Sequence, residues 1–250
     1  MRSRSTWVAG TTVALVLGAG GCGAAADRLW ELRTIERIRG GRIASVGLDY
    51  DGATDPELAA ASEVTRTLFV IVLVERGLEG RELIALEPGR RALLACAAAV
   101  DAGEDGAEAR CEEAIARASG DDALDALVLE TAQLALARAR TTSDPRAARA
   151  LLERLAETPG TPRARRALAA YWVARGDDAR AMALVDGWRE AEPEVEVYSR
   201  WARELVGRHD GSAAPACGST QDWPCGPERY CDFEEEGGQL ARWGVCRPGR

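Results

Sequence analysis

The 250-residue chain contains no lysine and no asparagine, and its one histidine is His209. Because every basic side chain is an arginine, the chain cannot supply the lysine of a Walker-A phosphate loop or the amine of a Schiff-base enzyme. A single histidine argues against a Ser-His-Asp triad and excludes a metal site built from several histidines. The sequence also contains no G-x-S-x-G elbow and no glycine-rich phosphate loop. We therefore select no catalytic residue and expect no cofactor or metal.

Acidic side chains outnumber basic ones, and the formal net charge at pH 7 is −8. An acidic chain repels the phosphates of nucleic acids and of anionic bilayers, so its charge argues against either as an electrostatic partner. The length allows one medium-sized domain with an appendage.

The beginning of the chain has the pattern of an export signal. Arg2 and Arg4 form a short basic head, and residues 8–20 carry no charge. As a helix, this apolar stretch would be about 20 Å long, which is short of the roughly 30 Å hydrocarbon core of a bilayer. We predict that residues 1–21 are a signal peptide that is removed, rather than a permanent transmembrane anchor.

The apolar stretch ends in the sequence AGGC at residues 19–22. This motif resembles the lipobox of bacterial lipoproteins, although that family prefers leucine where Ala19 stands. The resemblance implies that the Cys22 thiol is acylated, that the chain is cut just before it, and that residues 22–26 form a lipidated end and tether. Gly23, in place of a retention aspartate, favours the outer membrane of the cell envelope. An ordinary secretory signal, with Cys22 as a free or paired thiol, is the alternative.

The chain has an odd number of cysteines, and assigning Cys22 to a lipid leaves an even number. In an exported protein, an even remainder is typical of disulfides. The candidate disulfide cysteines are Cys96, Cys111, Cys217, Cys225, Cys231 and Cys246. The first two flank a turn at residues 101–106 almost symmetrically, so we expect a disulfide across a helical hairpin. Two separate buried thiols are the alternative, because disulfide geometry is strict.

Residues 27–208 are rich in alanine, leucine, arginine and glutamate, which are strong helix formers. We predict a helical domain over this range, with an early pair of helices at about 90–100 and 107–118. The β-branched segment 67–74 fits a buried strand or a buried helix, and the long helical stretch that follows it favours helix.

Local signals mark where several of these helices begin and end. An Asp-Pro pair at residues 144–145 and a Thr-Pro pair at residues 161–162 each predict a capped helix start with proline in the first turn. Gly176 and Gly207 are placed where a helix needs a left-handed stop.

Residues 128–161 and 162–195 are two similar units, in which the sequence DPRA recurs as DARA. The spacing of the two units resembles that of tetratricopeptide helical hairpins. The second unit matches that family at Leu168, Ala169, Trp172, Gly176, Asp177, Ala181 and Pro193. The first unit departs from the family at Arg138, which stands at an aromatic position. The resemblance implies stacked helix pairs, which a capping helix at 194–206 would close. We predict that the buried stripe of this helix is formed by Val197, Tyr198, Trp201 and Leu205.

The same resemblance implies a binding surface for a peptide or protein partner. In the repeat family, the first helix of each unit lines a concave face. Arg140, Arg163 and Arg166 would then contact acidic groups of the partner. The alternative is that these arginines only solubilise the surface, since charged residues are mostly exposed whatever their role.

After a linker at residues 209–216, the composition changes. Residues 217–250 contain four cysteines with many glycines and prolines, and they are too few to bury a sufficient core. We predict a loop-dominated module with two disulfides, for which three connectivities are possible. The pattern resembles small cysteine-rich modules of exported bacterial lipoproteins, which implies no enzymatic activity. A zinc site is the alternative, but the spacing lacks the close cysteine pair of a zinc ribbon.

The acidic segment 47–55 could be a catalytic or cation-binding loop. Asp49 and Asp51 resemble the aspartate loop of haloacid-dehalogenase-type phosphatases, but no lysine is available to neutralise a phosphate. A calcium loop would need a glutamate where Ala60 stands. We interpret the segment as a polar turn before a helix cap.

These observations predict an all-α fold of tetratricopeptide-like hairpins with a small disulfide-rich tail. The function that fits them is a non-enzymatic interaction scaffold, held in the cell envelope by its lipid and binding an unidentified peptide or protein. A structural envelope protein attached through its cysteine-rich tail and an unrecognised envelope hydrolase are the two alternatives.

Overall fold

The computed structural model describes residues 21–39, 61–75, 86–120, 122–158, 161–209, 216–217, 223–232 and 244–249. The predicted signal peptide up to residue 20, the acidic segment 47–55 and residues 210–215 of the predicted linker lie outside these ranges. Within them, helices dominate and strands are few and short, which confirms the predicted fold class.

Nine helices lie in the described part of the chain. They are α1 (Gly21–Arg39), α2 (Glu63–Glu75), α3 (Pro88–Asp101), α4 (Ala107–Arg117), α5 (Ala123–Ser143), α6 (Pro145–Ala156), α7 (Pro162–Ala174), α8 (Asp178–Ala191) and α9 (Glu196–His209). From α3 onward, each helix packs on the next one along the chain, as expected for a series of hairpins. The segment 67–74 belongs to α2, so the prediction of helix is confirmed.

Two of the predicted helix starts have proline in the first turn, and a side-chain cap precedes one of them. Asp144 precedes α6 and its carboxylate accepts a hydrogen bond from the Ala147 N–H at 3.0 Å, with proline at the first helical position. α7 also begins at a proline, as predicted. The Thr161 hydroxyl before it does not cap the helix, because it donates to the backbone carbonyls of Leu155 and Thr158 instead.

The two predicted glycine stops have different outcomes. Gly176 follows α7 with a φ of 77°, a left-handed conformation that ends the helix. The prediction for Gly207 is wrong, because α9 continues through it to His209. Arg208, just beyond this glycine, pairs with Asp178 of α8 at 3.6 Å, and this contact helps to hold the last turn in place.

The first helix starts earlier than the sequence predicts. α1 includes residues 22–26, for which the sequence predicts a tether. Three consecutive alanines at residues 24–26 have the highest helix propensity of any residue type, and no proline interrupts the helix before Arg39. Helix formation therefore reaches the candidate lipidation site at Cys22.

Two hydrophobic clusters hold the helices together. The first contains side chains from the helices α1 through α5. The second contains side chains from α5 through α9, together with Trp223 of the tail. α5 is the longest helix described and contributes to both clusters. The helical part is therefore continuous through α5. Tyr198, Trp201 and Leu205 of the predicted α9 stripe are fully buried.

The described part of the tail contains a small antiparallel sheet. Its strands are β1 (Ala216–Cys217), β2 (Arg229–Asp232) and β3 (Gly244–Pro248), in the spatial order β1-β3-β2. One disulfide joins Cys225 to Cys246 of β3. A second disulfide joins Cys96 of α3 to Cys111 of α4, across the hairpin for which the sequence predicts a bond.

Candidate interaction site

Helix α2 is apolar throughout residues 68–74 and packs among α1, α3 and α5. Each side chain from Leu68 to Val74 is at most 9% exposed. Burial of one such side chain is worth about 1.5–3 kcal/mol, so the run contributes on the order of 10–20 kcal/mol. α2 is therefore an integral part of the core.

Arginines from three helices hold the two ends of α2. At its start, Glu63 pairs with Arg90 of α3 at 3.1 Å. At its end, Glu75 pairs with Arg163 of α7 at 2.6 Å and with Arg138 of α5 at 3.4 Å. α3, α5 and α7 are the first helices of successive hairpins, the helices that the repeat resemblance assigns to the binding face. In this structure α2 lies against that face.

Arg163 is one of the three arginines selected from the sequence, and it is buried. Only 3% of its side chain is exposed. Besides Glu75, it pairs with Glu130 at 2.9 Å and donates to the Thr131 hydroxyl at 3.1 Å. A contact between Arg163 and an external acidic group would have to break these bonds.

The charges around Glu75 decide its ionisation. Burial by itself raises the pKa of this carboxyl group. The opposing attraction of Arg138 and Arg163, together with their hydrogen bonds, is larger and leaves the pKa of Glu75 below its ordinary value of 4.5. Glu75 is therefore an anion at neutral pH and holds the arginines of α5 and α7 to the end of α2.

Arg140, the second selected arginine, connects two neighbouring helices. Its guanidinium pairs with Glu108 of α4 at 3.1 Å and also with Glu112 of the same helix. Its side chain is 19% exposed, whereas those two glutamates are 42% and 53% exposed. Of the three selected arginines, it is the most accessible.

Arg166, the third selected arginine, lies where the tail meets the helices. Its guanidinium is 3.9 Å from the ring centre of Trp223 and 5.2 Å from that of Trp201, both within the range of cation–π attraction. The indole N–H of Trp223 donates to Glu204 at 3.0 Å, and Arg166 pairs with the same carboxylate at 3.4 Å. Trp223 is 6% exposed, so the tail inserts one large side chain into the helical body.

A neighbouring arginine builds a parallel network between α7 and α9. Arg165 donates to the Tyr198 hydroxyl at 2.6 Å and pairs with Glu192 at 2.8 Å. The hydrogen bond from Arg165 lowers the pKa of Glu192, while burial raises the pKa of Tyr198. At neutral pH this network consists of a cation, an anion and a neutral phenol, which hold α9 on α7.

A groove along α3 and α4 is a further candidate for a small-molecule site among the described residues. Its volume is about 870 Å³, and alanines alternate along it with charged residues of both signs. In the described ranges, no group of three or more histidine, cysteine, aspartate or glutamate side chains is arranged to hold a metal ion. None of the described helices is long and apolar enough to cross a membrane.

The sequence indicates only some of the residues that form the ion pairs and the tail contact described above. Arg138 departs from the repeat family by replacing an aromatic residue, and that departure was the available signal that it has another role. Glu75, Arg90 and Trp223 carried no such signal, because their partners lie far from them along the chain.

No protein-family description, no curated protein and no solved structure matches this chain. The resemblances to lipoproteins and to tetratricopeptide repeats therefore depend on the residues quoted above.

Proposed function

We propose that this chain is an exported interaction scaffold that an acylated Cys22 anchors in the bacterial cell envelope. The observation that carries the proposal is the presence of disulfides in both parts of the molecule, Cys96–Cys111 in the helices and Cys225–Cys246 in the tail. Such bonds persist in oxidising compartments outside the cytosol. The lipobox-like sequence at residues 19–22 adds an anchor to this location.

The helical hairpins support a role in binding rather than in chemistry. Tetratricopeptide-like pairs of helices expose large surfaces that recognise extended or helical segments of other proteins. Because α2 covers α3 and α5, we place the partner on the outer side of the hairpins, which includes α6 and α8. Arg149 of α6 and Arg189 of α8 are each 45% exposed and lie beside exposed carboxylates. A partner with its own mixture of charges would suit this surface.

Intact-mass analysis of the native mature protein tests the anchor. We expect a chain that begins at Cys22, carries the mass of its acyl groups, and is lighter than the reduced chain by two hydrogens for each disulfide. The matched control is Cys22→Ser, which we expect to lack the lipid. Recovery of an uncut, unlipidated chain with reactive thiols throughout would contradict the proposal.

Crosslinking in cells tests the binding surface. We expect the double variant Arg149→Glu/Arg189→Glu to lose the proteins that are crosslinked to the wild-type chain, with an unchanged helical circular dichroism spectrum. Arg200→Glu on α9, which is 42% exposed, is the matched control. An unchanged set of crosslinked proteins in the double variant would remove α6 and α8 from the proposal.

A further inference from the structure

Helix α1 has one buried side and one exposed side. Glu31, Thr34 and Ile38 are at most 5% exposed and face the protein. Leu29 and Leu32, in contrast, are 47% and 48% exposed, which is among the highest exposure of any large apolar side chain described. Because they are three residues apart on the helix, Leu29 and Leu32 lie next to each other and form a small apolar patch on the outward side.

The exposed side of α1 is also the side on which Cys22 is placed. Position 22 precedes Leu29 by seven residues, which is about two turns of helix, so the two positions share one side. Position 22 and Leu29 are about 10 Å apart along the helix axis, and Leu32 is about 15 Å from position 22. Because the helix is continuous from Gly21, no flexible segment separates the anchor position from these leucines.

We propose that the outward side of α1, with Leu29 and Leu32, lies on the surface of the lipid bilayer; this inference rests on the proposed acylation of Cys22. Once acyl chains hold position 22 at the bilayer, an α1 helix that lies along the membrane surface brings both leucines to the boundary between headgroups and acyl chains, where interfacial helices bury their apolar face. Arg33 and Glu36 are also exposed, so the outward side of α1 carries charges of both signs beside the two leucines.

The contact is apolar rather than electrostatic in origin. The chain as a whole is acidic, so it has no general attraction to an anionic surface. The anchor therefore brings α1 to the bilayer, and the two leucines fix the side that faces it. This arrangement orients the helical hairpins relative to the membrane.

Photocrosslinking in a zwitterionic bilayer tests the orientation. The full lipidated chain is reconstituted in vesicles of phosphatidylethanolamine and phosphatidylcholine, with benzoylphenylalanine replacing Leu29 or Leu32. The matched control carries the same group in place of Val206 of α9, which is 52% exposed. We expect severalfold more lipid adducts from positions 29 and 32 than from position 206, because only α1 is held at the bilayer.

The outcomes separate this inference from the proposed function. Equal lipid yields at the three positions, or adducts of positions 29 and 32 with protein instead of lipid, would overturn the orientation of α1. The intact mass of the same samples reports whether Cys22 is acylated. An acylated chain without lipid adducts at α1 would overturn only the inference, whereas a chain without acyl groups would overturn the proposed function as well.

Discussion

At the scale of single residues, one arginine side chain in this protein often pairs with two or three carboxylates at once. A guanidinium presents five donors in a rigid fork and loses its proton only at extreme pH, so one arginine can satisfy several carboxylates in a buried place. Arg90 illustrates this use: it pairs with Glu63, Asp122 and Asp125 and so ties α2, the start of α5 and its own helix together. Arg163 does the same with Glu75 and Glu130.

The substitution Glu75→Gln tests this network. It removes the charge that Arg138 and Arg163 face, and we expect the free energy of unfolding at pH 7 to fall by about 3 kcal/mol, the low end for breaking a buried pair, because the arginines keep other partners. Urea unfolding followed by circular dichroism measures this change. Glu113→Gln, at an exposed pair with Arg117, is the control and should change stability by less than about 0.5 kcal/mol.

The same residue predicts how stability depends on pH. Because the pKa of Glu75 is lowered by folding from its ordinary 4.5, its contribution is fully present above that pH and is lost as the pH falls below it. The wild-type protein should therefore lose stability more steeply than Glu75→Gln when urea titrations are repeated at successively lower pH. Parallel curves for the two proteins would show that Glu75 is not held as an anion.

At the scale of elements, the α3–α4 hairpin is closed both by packing and by a covalent bond. Leu93, Leu94 and Val100 of α3 belong to the first hydrophobic cluster, as do Ala107 and Cys111 of α4. The disulfide spans a sequence separation of 15 residues. The disulfide restricts the conformations of the unfolded chain, so the chain loses less entropy when it folds and the folded state is stabilised.

Replacing both Cys96 and Cys111 by serine should lower the free energy of unfolding by about 3 kcal/mol on a chain-entropy estimate. Amide hydrogen exchange should show faster opening in α3 and α4. In the control variant Cys225→Ser/Cys246→Ser, exchange in these two helices should stay as in the wild type. Unchanged protection of α3 and α4 without the Cys96–Cys111 bond would show that packing alone holds the hairpin.

The disulfide seen in the tail predicts how its other two cysteines pair. Of the three ways to pair four cysteines, only one contains the observed Cys225–Cys246 bond, and it joins Cys217 to Cys231. Peptide mapping of the unreduced protein should therefore recover a peptide linked between Cys217 and Cys231. A peptide linked from Cys217 to Cys225 or to Cys246 would contradict the structure.

At the scale of the whole molecule, the tail is attached to the helices by more than its linker. Trp223 packs in the second cluster between Arg166 and Trp201, and the next segment reaches the end of α7. There, a Cβ atom placed on Gly176 would lie 3.3 Å from Pro227, so the left-handed glycine that ends α7 also leaves room for the tail. The cysteine-rich module therefore packs on one end of the helical body.

We expect Trp223→Ala to detach this module. Truncation of a buried tryptophan costs about 3–5 kcal/mol, most of which would be lost locally, so trypsin should cleave the tail after Arg229 much faster than in the wild type. Val206→Ala is the matched control because Val206 is 52% exposed and lies away from the cleavage site. Equal cleavage rates in the wild type and in Trp223→Ala would show that the disulfide-bonded module does not depend on its contact with α9.

Much of the fold follows from short-range patterns. The starts of α6 and α7, the stop at Gly176 and the α3–α4 hairpin were all predictable, because helix-start signals, turn conformation and helix propensity depend on residues only a few positions apart. The local pattern of 67–74, in contrast, fits a strand as well as a helix. The wrong prediction of a helix end at Gly207 has a reason that is not local in the sequence. A glycine permits a helix to end without requiring it, and contacts of the last turn with α8 decide the outcome.

The site was less predictable than the fold. Arg163 and Arg166 are charged residues, which mostly lie on protein surfaces. In the structure, however, Arg163 is buried against Glu75, and Arg166 lies against Trp223 of the tail. No local pattern reveals these partners, since each pair is separated by dozens of residues in the chain.

Three properties follow from the amino-acid sequence alone: the protein is helical, its cationic side chains at neutral pH are all arginines, and its cysteines can pair if it is exported. These properties depend on composition and on neighbours along the chain. The position of α2 against the first helices of the hairpins and the insertion of the tail at Trp223 follow instead from tertiary packing. Those outcomes depend on which apolar surfaces and opposite charges meet when distant segments pack, and that is settled by the free energy of the whole fold.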